Sequence, residues 1–146
     1  MLERISFPLN PLKIYRLTSE ISKPDAPLYR YSREAIDDFK DRKYESCLRK
    51  IGIASEALTG MLYSFLFKEE MVPSEWEGKL NRICKEKKDV ARFIASILLS
   101  VKWLRNAMSH PTDYKPSEAE TYLALLSFQI ALEKYVVNIL GKKVVY

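Results

Sequence analysis

Residues 45–68, ESCLRKIGIASEALTGMLYSFLFK, place Leu48, Ile51, Leu58, Leu62 and Phe65 at three- and four-residue steps, the recurrence of one face of an α-helix. A second stripe of Cys47, Ala54, Ala57 and Met61 widens the face that has to be covered. Gly52 and Gly60 interrupt the run, each at a cost of about 1 kcal/mol relative to alanine. The simplest reason to keep them is a neighbouring helix packing close. The stretch therefore reads as one long helix from about Glu45 to Lys68, buried on a broad side.

Upstream of it, Ser32 can cap a helix carrying Ala35, Ile36 and Phe39, with Glu34, Asp37 and Asp38 near its positive end. Asp41 to Tyr44 form the break. Pro8, Pro11, Pro24 and Pro27 fall within residues 1–31, and prolines interrupt helices, so that segment is expected to be an irregular N-terminal arm. Downstream, Ser74 and Glu77 have capping-box spacing and open a short helix with Leu80, Ile83 and Cys84 on its inner side. Asp89 can cap the next helix, whose apolar face runs from Val90 through Ile97 and Leu104 to Met108. That helix ends near His110, because Pro111 disfavours helical geometry in the residue before it. Ser117 and Glu120 repeat the capping-box spacing and open a last helix to about Leu140, with Gly141 as its stop. The last helix is apolar on nearly every side, so a second surface must cover it, within the chain or across a subunit interface.

These elements predict an all-α fold, an up-and-down helical bundle of four to five helices. Its expected limits are an arm over residues 1–31, the bundle over 32–141 and a short tail over 142–146. The 146 residues suit one domain, large enough to need no disulfide or metal for its stability. Cys47 and Cys84 stand far apart and match no zinc spacing, which points to reduced thiols in a cytoplasmic protein. No apolar run reaches the roughly 18 residues of a spanning helix, and prolines and charges occupy the place of a signal-peptide core, so no membrane role is expected. A net charge of +5 favours a polyanionic partner.

The one histidine, His110, closes the stretch Trp103-Leu104-Arg105-Asn106-Ala107-Met108-Ser109-His110-Pro111. Asn106 lies one helical turn before His110, and Ser109 one turn after Arg105, so polar groups gather at an otherwise apolar helix end. Imidazole titrates near neutrality and suits proton transfer, and guanidinium stays charged and forks onto phosphate oxygens. RNA carries its own nucleophile, the 2′-hydroxyl, so a metal-free nuclease needs a base, an acid and positive charge on the phosphate. One Arg and one His supply part of that set, and two copies about a twofold axis supply all of it. A histidine near a helix C-terminus equally serves the helix dipole, a purely structural role. Glu56 has two readings as well, holding Arg105 in place or facing solvent. Trp103, Tyr114 and Tyr122 could stack on bases, though aromatic residues beside a helical core more often pack.

Arg105-Asn106-x-x-x-His110 resembles the R-x4–6-H signature of the HEPN family, which commonly has a polar residue directly after the arginine. The likeness extends over about residues 32–140: Ala35 to Phe39, Arg42-Lys43-Tyr44, the long helix with Glu56, the motif, a proline-containing loop and the Ser117-capped last helix. The resemblance implies a dimer joined through the motif-bearing face, with Arg105 and His110 catalytic and Asn106 auxiliary. It implies metal-independent RNA cleavage of toxin or defence type, with no cofactor. Other members of the family are non-catalytic modules that pair with a partner such as a co-encoded nucleotidyltransferase or antitoxin, which is the alternative reading.

Overall fold

The structure is a computed structural model, and it describes residues 8–70, 72, 75–109 and 115–146, without the side chains of 108 and 109. Among the described residues there are six helices and no strand: α1 (Pro11–Ile21), α2 (Pro27–Lys40), α3 (Tyr44–Phe67), α4 (Trp76–Glu86), α5 (Asp89–Ser109) and α6 (Glu118–Glu133). The last of these continues as a π-helical turn over Lys134–Ile139. None of the helices is long and apolar enough to cross a membrane.

The long helix α3 is the axis of the fold, packed by α2, α5, α6 and α4. Leu48, Ile51, Ala54, Leu58 and Leu62 are all buried, as their spacing requires. Phe65, on the same stripe, is 42% exposed. Lys68 stops the helix in a left-handed conformation, and its N–H is donated to the carbonyl of Ser64. The inner residues expected for α4, Leu80 and Ile83, are buried and are joined by Trp76. Ser74 of the expected capping box lies outside the described residues.

At α6 the capping box is formed in full. The Glu120 N–H donates to Ser117 Oγ at 3.2 Å, and the Ser117 N–H donates to Glu120 Oε1 at 2.9 Å. At the other end Gly141 takes φ 69, and the Lys142 N–H reaches back to the Val136 carbonyl at 3.1 Å. This is the left-handed glycine stop that closes orphan helix carbonyls.

The N-terminal segment departs from its expectation. It was expected to be irregular, yet it contains α1, and α2 begins at Pro27, not at Ser32. Both prolines stand in the first turn of a helix, where the missing N–H leaves nothing unbonded and the fixed φ already fits. Asn10 caps α1, its Oδ1 accepting the Lys13 N–H at 3.3 Å. Ser32 sits inside α2, where its hydroxyl is donated to the Tyr29 carbonyl at 3.1 Å. Helix α1 lies on α2 and α6. Gln129 of α6 stitches its entry, accepting from the Asn10 N–H at 2.6 Å and donating to the Pro8 carbonyl at 2.9 Å. Arg33 of α2 ties the same helix from the other side through Thr18 Oγ1 at 2.8 Å and the Tyr15 carbonyl at 3.0 Å.

Where α2 meets α3, the buried Asp38 carboxylate accepts from Ser46 Oγ at 2.6 Å and pairs with Lys50 at 2.9 Å. Burial alone would raise its pKa. The Ser46 and Lys50 bonds, with the charges of Lys50 and Lys43, outweigh burial and hold it below the ordinary carboxylate value. Cys47 lies beside this pair and is a free thiol, pushed up to about 12 by burial and by Asp38. It is therefore a packing residue, not a nucleophile.

Candidate functional site

Arg105 is on the last turns of α5, half-buried, and its aliphatic stem crosses α3 at Gly52. A Cβ on residue 52 would fall well inside van der Waals contact of Arg105 Cδ, with Cγ at 3.1 Å and Nε at 3.4 Å. The close neighbour expected at Gly52 is thus the stem of the candidate catalytic arginine. Glu56, one turn further along α3, shares that face. Burial pushes the Glu56 carboxyl above its ordinary value, and the charge of Arg105 pulls it partly back. Glu56 is half-buried, near enough for its charge to feel that of Arg105.

The guanidinium carbon stands 5.0 Å from the centroid of the Trp76 ring, within cation–π range. The indole itself is fixed. Its Nε1–H donates to the buried Thr59 hydroxyl at 2.8 Å, and that hydroxyl donates in turn to the Ser55 carbonyl at 2.9 Å. Arg105 Nη2 also donates to Asn106 Oδ1 at 3.3 Å, so two of the three expected site residues touch. The third, His110, lies outside the described residues, as does Tyr114. Sequence reasoning missed Trp76 and Thr59. Trp76 is 29 positions before Arg105 by number, and only the packing of α3, α4 and α5 brings the two together.

On another face of α5 from Arg105 an open groove runs between α5 and α6, lined by Ser100, Trp103, Leu104, Ala107, Glu120 and Leu123. Trp103 is 57% exposed and Leu123 53% exposed. Lys102 turns away from the groove and pairs with Glu77 of α4 at 3.2 Å. Tyr122 faces α2 and the segment before α1, not Arg105. Its hydroxyl accepts the Leu9 N–H at 3.3 Å and its ring packs on Phe39, centroids 6.2 Å apart. Among the described residues no cluster of three or more His, Cys, Asp or Glu side chains could hold a metal ion.

No family model, curated protein or solved structure matches the chain. The arrangement offers a permanent cation in a half-buried seat, restrained on three sides by Gly52, Trp76 and Asn106. A guanidinium held in this way can meet an anion without first losing conformational freedom.

Proposed function

We propose that the chain is a metal-independent endoribonuclease of HEPN type, a helical bundle that acts as a homodimer with paired Arg105 and His110 motifs. The observation that carries the reading is the seat of Arg105. A solvated lysine or arginine would serve solubility equally well, whereas a guanidinium threaded over a helix glycine and a buried indole is a cation held in position.

The reaction requires no outside nucleophile. One His110 takes the proton of the 2′-hydroxyl, and its oxygen attacks the adjacent phosphorus. The P–O5′ bond breaks, and the second His110 gives a proton to the departing O5′, leaving a 2′,3′-cyclic phosphate and a 5′-hydroxyl. Both Arg105 guanidinia hold the phosphate oxygens as charge develops on them. The toxin or defence type rests on the resemblance, and a net charge of +5 favours a polyanionic substrate.

The test is cleavage of a mixed-sequence RNA by the parent and by His110→Ala, with circular dichroism to confirm equal folding. The variant is expected to lose cleavage, since the chain holds no second histidine, and the parent to keep it in EDTA. Undiminished cleavage by folded His110→Ala would exclude the mechanism.

The exposed Trp103–Leu123 groove favours a second reading, a non-catalytic HEPN-like module that holds a partner protein such as a co-encoded nucleotidyltransferase or antitoxin. That reading requires a stable complex with the partner and no cleavage by the parent.

A further inference from the structure

The tight turn between α2 and α3 borders two adjoining hollows that the α5 motif does not use. The first is a cavity of about 330 Å³ walled by Ile36, Phe39, Tyr44 and Leu125, with Lys40, Arg42 and Glu118 at its rim. The second is shallower and is bordered by Arg42, Lys43, Tyr44, Glu45, Ser46 and Arg49. Arg42 and Tyr44 belong to both, so the two form one groove. Its lining carries four cations, Lys40, Arg42, Lys43 and Arg49, against two carboxylates, Glu45 and Glu118. Glu45 and Arg49 pair with each other at 3.3 Å on the surface, so of the remaining lining charges Lys40, Arg42 and Lys43 stand against Glu118.

Arg42 stands in the left-handed region, at φ 60, where glycine is the residue of least strain. The turn is held there by the Arg42 N–H on the Phe39 carbonyl at 3.1 Å and the Lys43 N–H on the Asp38 carbonyl at 2.7 Å. The backbone would accept glycine more easily, so what arginine adds at this position is its side chain.

The groove is also in line with Arg105. Glu45, Arg49, Gly52 and Glu56 follow one another at four-, three- and four-residue steps, which is a single face of α3. Arg49 is therefore one turn from the glycine that Arg105 crosses, about 5 Å along the axis. That face leads from the groove to Gly52, which is buried under the Arg105 stem.

We propose that this groove binds single-stranded RNA, with one base in the cavity against Phe39 and Tyr44 and the flanking phosphates on Arg42, Lys43 and Arg49. An aromatic wall beside a cationic track is the arrangement that suits a strand whose bases stack and whose backbone is charged. The choice of RNA among polyanions rests on the nuclease reading of the α5 motif. The groove itself does not.

The experiment measures binding, not cleavage. A fluorescein-labelled ten-nucleotide single-stranded RNA is titrated with the full chain carrying His110→Ala, so that the strand stays whole, and anisotropy is followed across a salt series. Two groove variants are compared on that background. Arg42→Gly relieves the backbone and is expected to fold at least as well, yet to bind RNA about fivefold to tenfold more weakly. The slope of log affinity against log salt should fall by about 0.7, one phosphate contact. Tyr44→Ala is expected to cost about fivefold or more. Parent-like binding by both folded variants would overturn the proposal, as would a folded parent that fails to bind the RNA. An acidic peptide of equal charge bound as tightly as the RNA would also overturn it, since carboxylates alone would then account for the groove. RNA binding that is weakened by Arg42→Gly, in a chain that cuts nothing, would keep the groove and refute the nuclease reading.

Discussion

Replacing Gly52 by alanine should do the opposite of what helix propensity dictates. In the middle of α3 the change gains about 1 kcal/mol, because glycine is the weaker helix former. The new methyl, however, enters space held by the Arg105 stem, with Cγ at 3.1 Å, Nε at 3.4 Å and Cδ closer still. Cδ is mid-chain, so it cannot yield without swinging the guanidinium away from Trp76 and Asn106. Overpacking of this kind costs about 1–3 kcal/mol, so the net change should run from near zero to a loss of about 2 kcal/mol.

Gly78 supplies the control. It also lies inside a helix, α4, is exposed, and a Cβ there meets nothing within 4 Å. Gly78→Ala is therefore expected to stabilise by about 1 kcal/mol, about 2–4 °C in melting temperature for a domain of this size. The assay is paired urea unfolding of both variants, followed by tryptophan emission, which includes Trp76, together with RNA cleavage. Displacing the guanidinium by about 1 Å is expected to lower cleavage about a hundredfold in Gly52→Ala and to leave Gly78→Ala unchanged. Equal stabilisation of both variants, with unaltered emission, would show that Arg105 has slack at Gly52 and would refute the reasoning.

Thr59→Val removes the acceptor of the buried Trp76 Nε1–H at 2.8 Å. A loss of about 1–3 kcal/mol is expected in the same urea assay, and an unchanged midpoint would mean the indole finds another partner. Asp38→Asn tests the α2–α3 junction. Because the folded carboxyl is held below its ordinary value, its contribution is complete above about pH 4 and is lost as the pH falls through the lower folded value. The variant should be less stable at neutral pH and should lose less stability than the parent on acidification below about pH 4. Parallel acid profiles would refute this. Leu123→Glu puts a charge into the α5–α6 groove. If two copies meet there, sedimentation should show the variant as a monomer and the parent as a dimer, and a variant that remains dimeric would rule the groove out as the interface.

The legible parts of the fold are those set by residues close in the chain. Ser117, Glu120 and Gly141 announced both ends of α6, and the spacing from Leu48 to Leu62 announced α3. The N-terminal helices were hidden by their prolines, since a proline within a helix and one in its first turn look alike until the capping residue is considered. Asn10 directly before Pro11 was the available sign. Within the site, Arg105 and Asn106 were legible as neighbours, and Gly52 as a place of close approach. Neither Trp76 nor the identity of the group over Gly52 could be read, because both depend on how α3, α4 and α5 cross.

The surplus of apolar residues on the last helix and the missed helix α1 are two sides of one fact. So apolar an α6 demanded more cover than a core built from residue 32 onward could supply. Helix α1 provides part of it, burying Ile14 and Leu17 and docking on α6 through Gln129. With α1, α2, α3 and α5 in place, Leu125, Phe128, Leu132 and Val136 are all buried. Most of the demand is thus met within the chain, and Leu123 remains as one of the few large apolar side chains of α6 facing solvent. It lies beside the exposed Trp103 of α5, in the groove between α5 and α6. A twofold contact on that patch would cover Leu123 and Trp103, so folding and self-association would draw on the same hydrophobic excess.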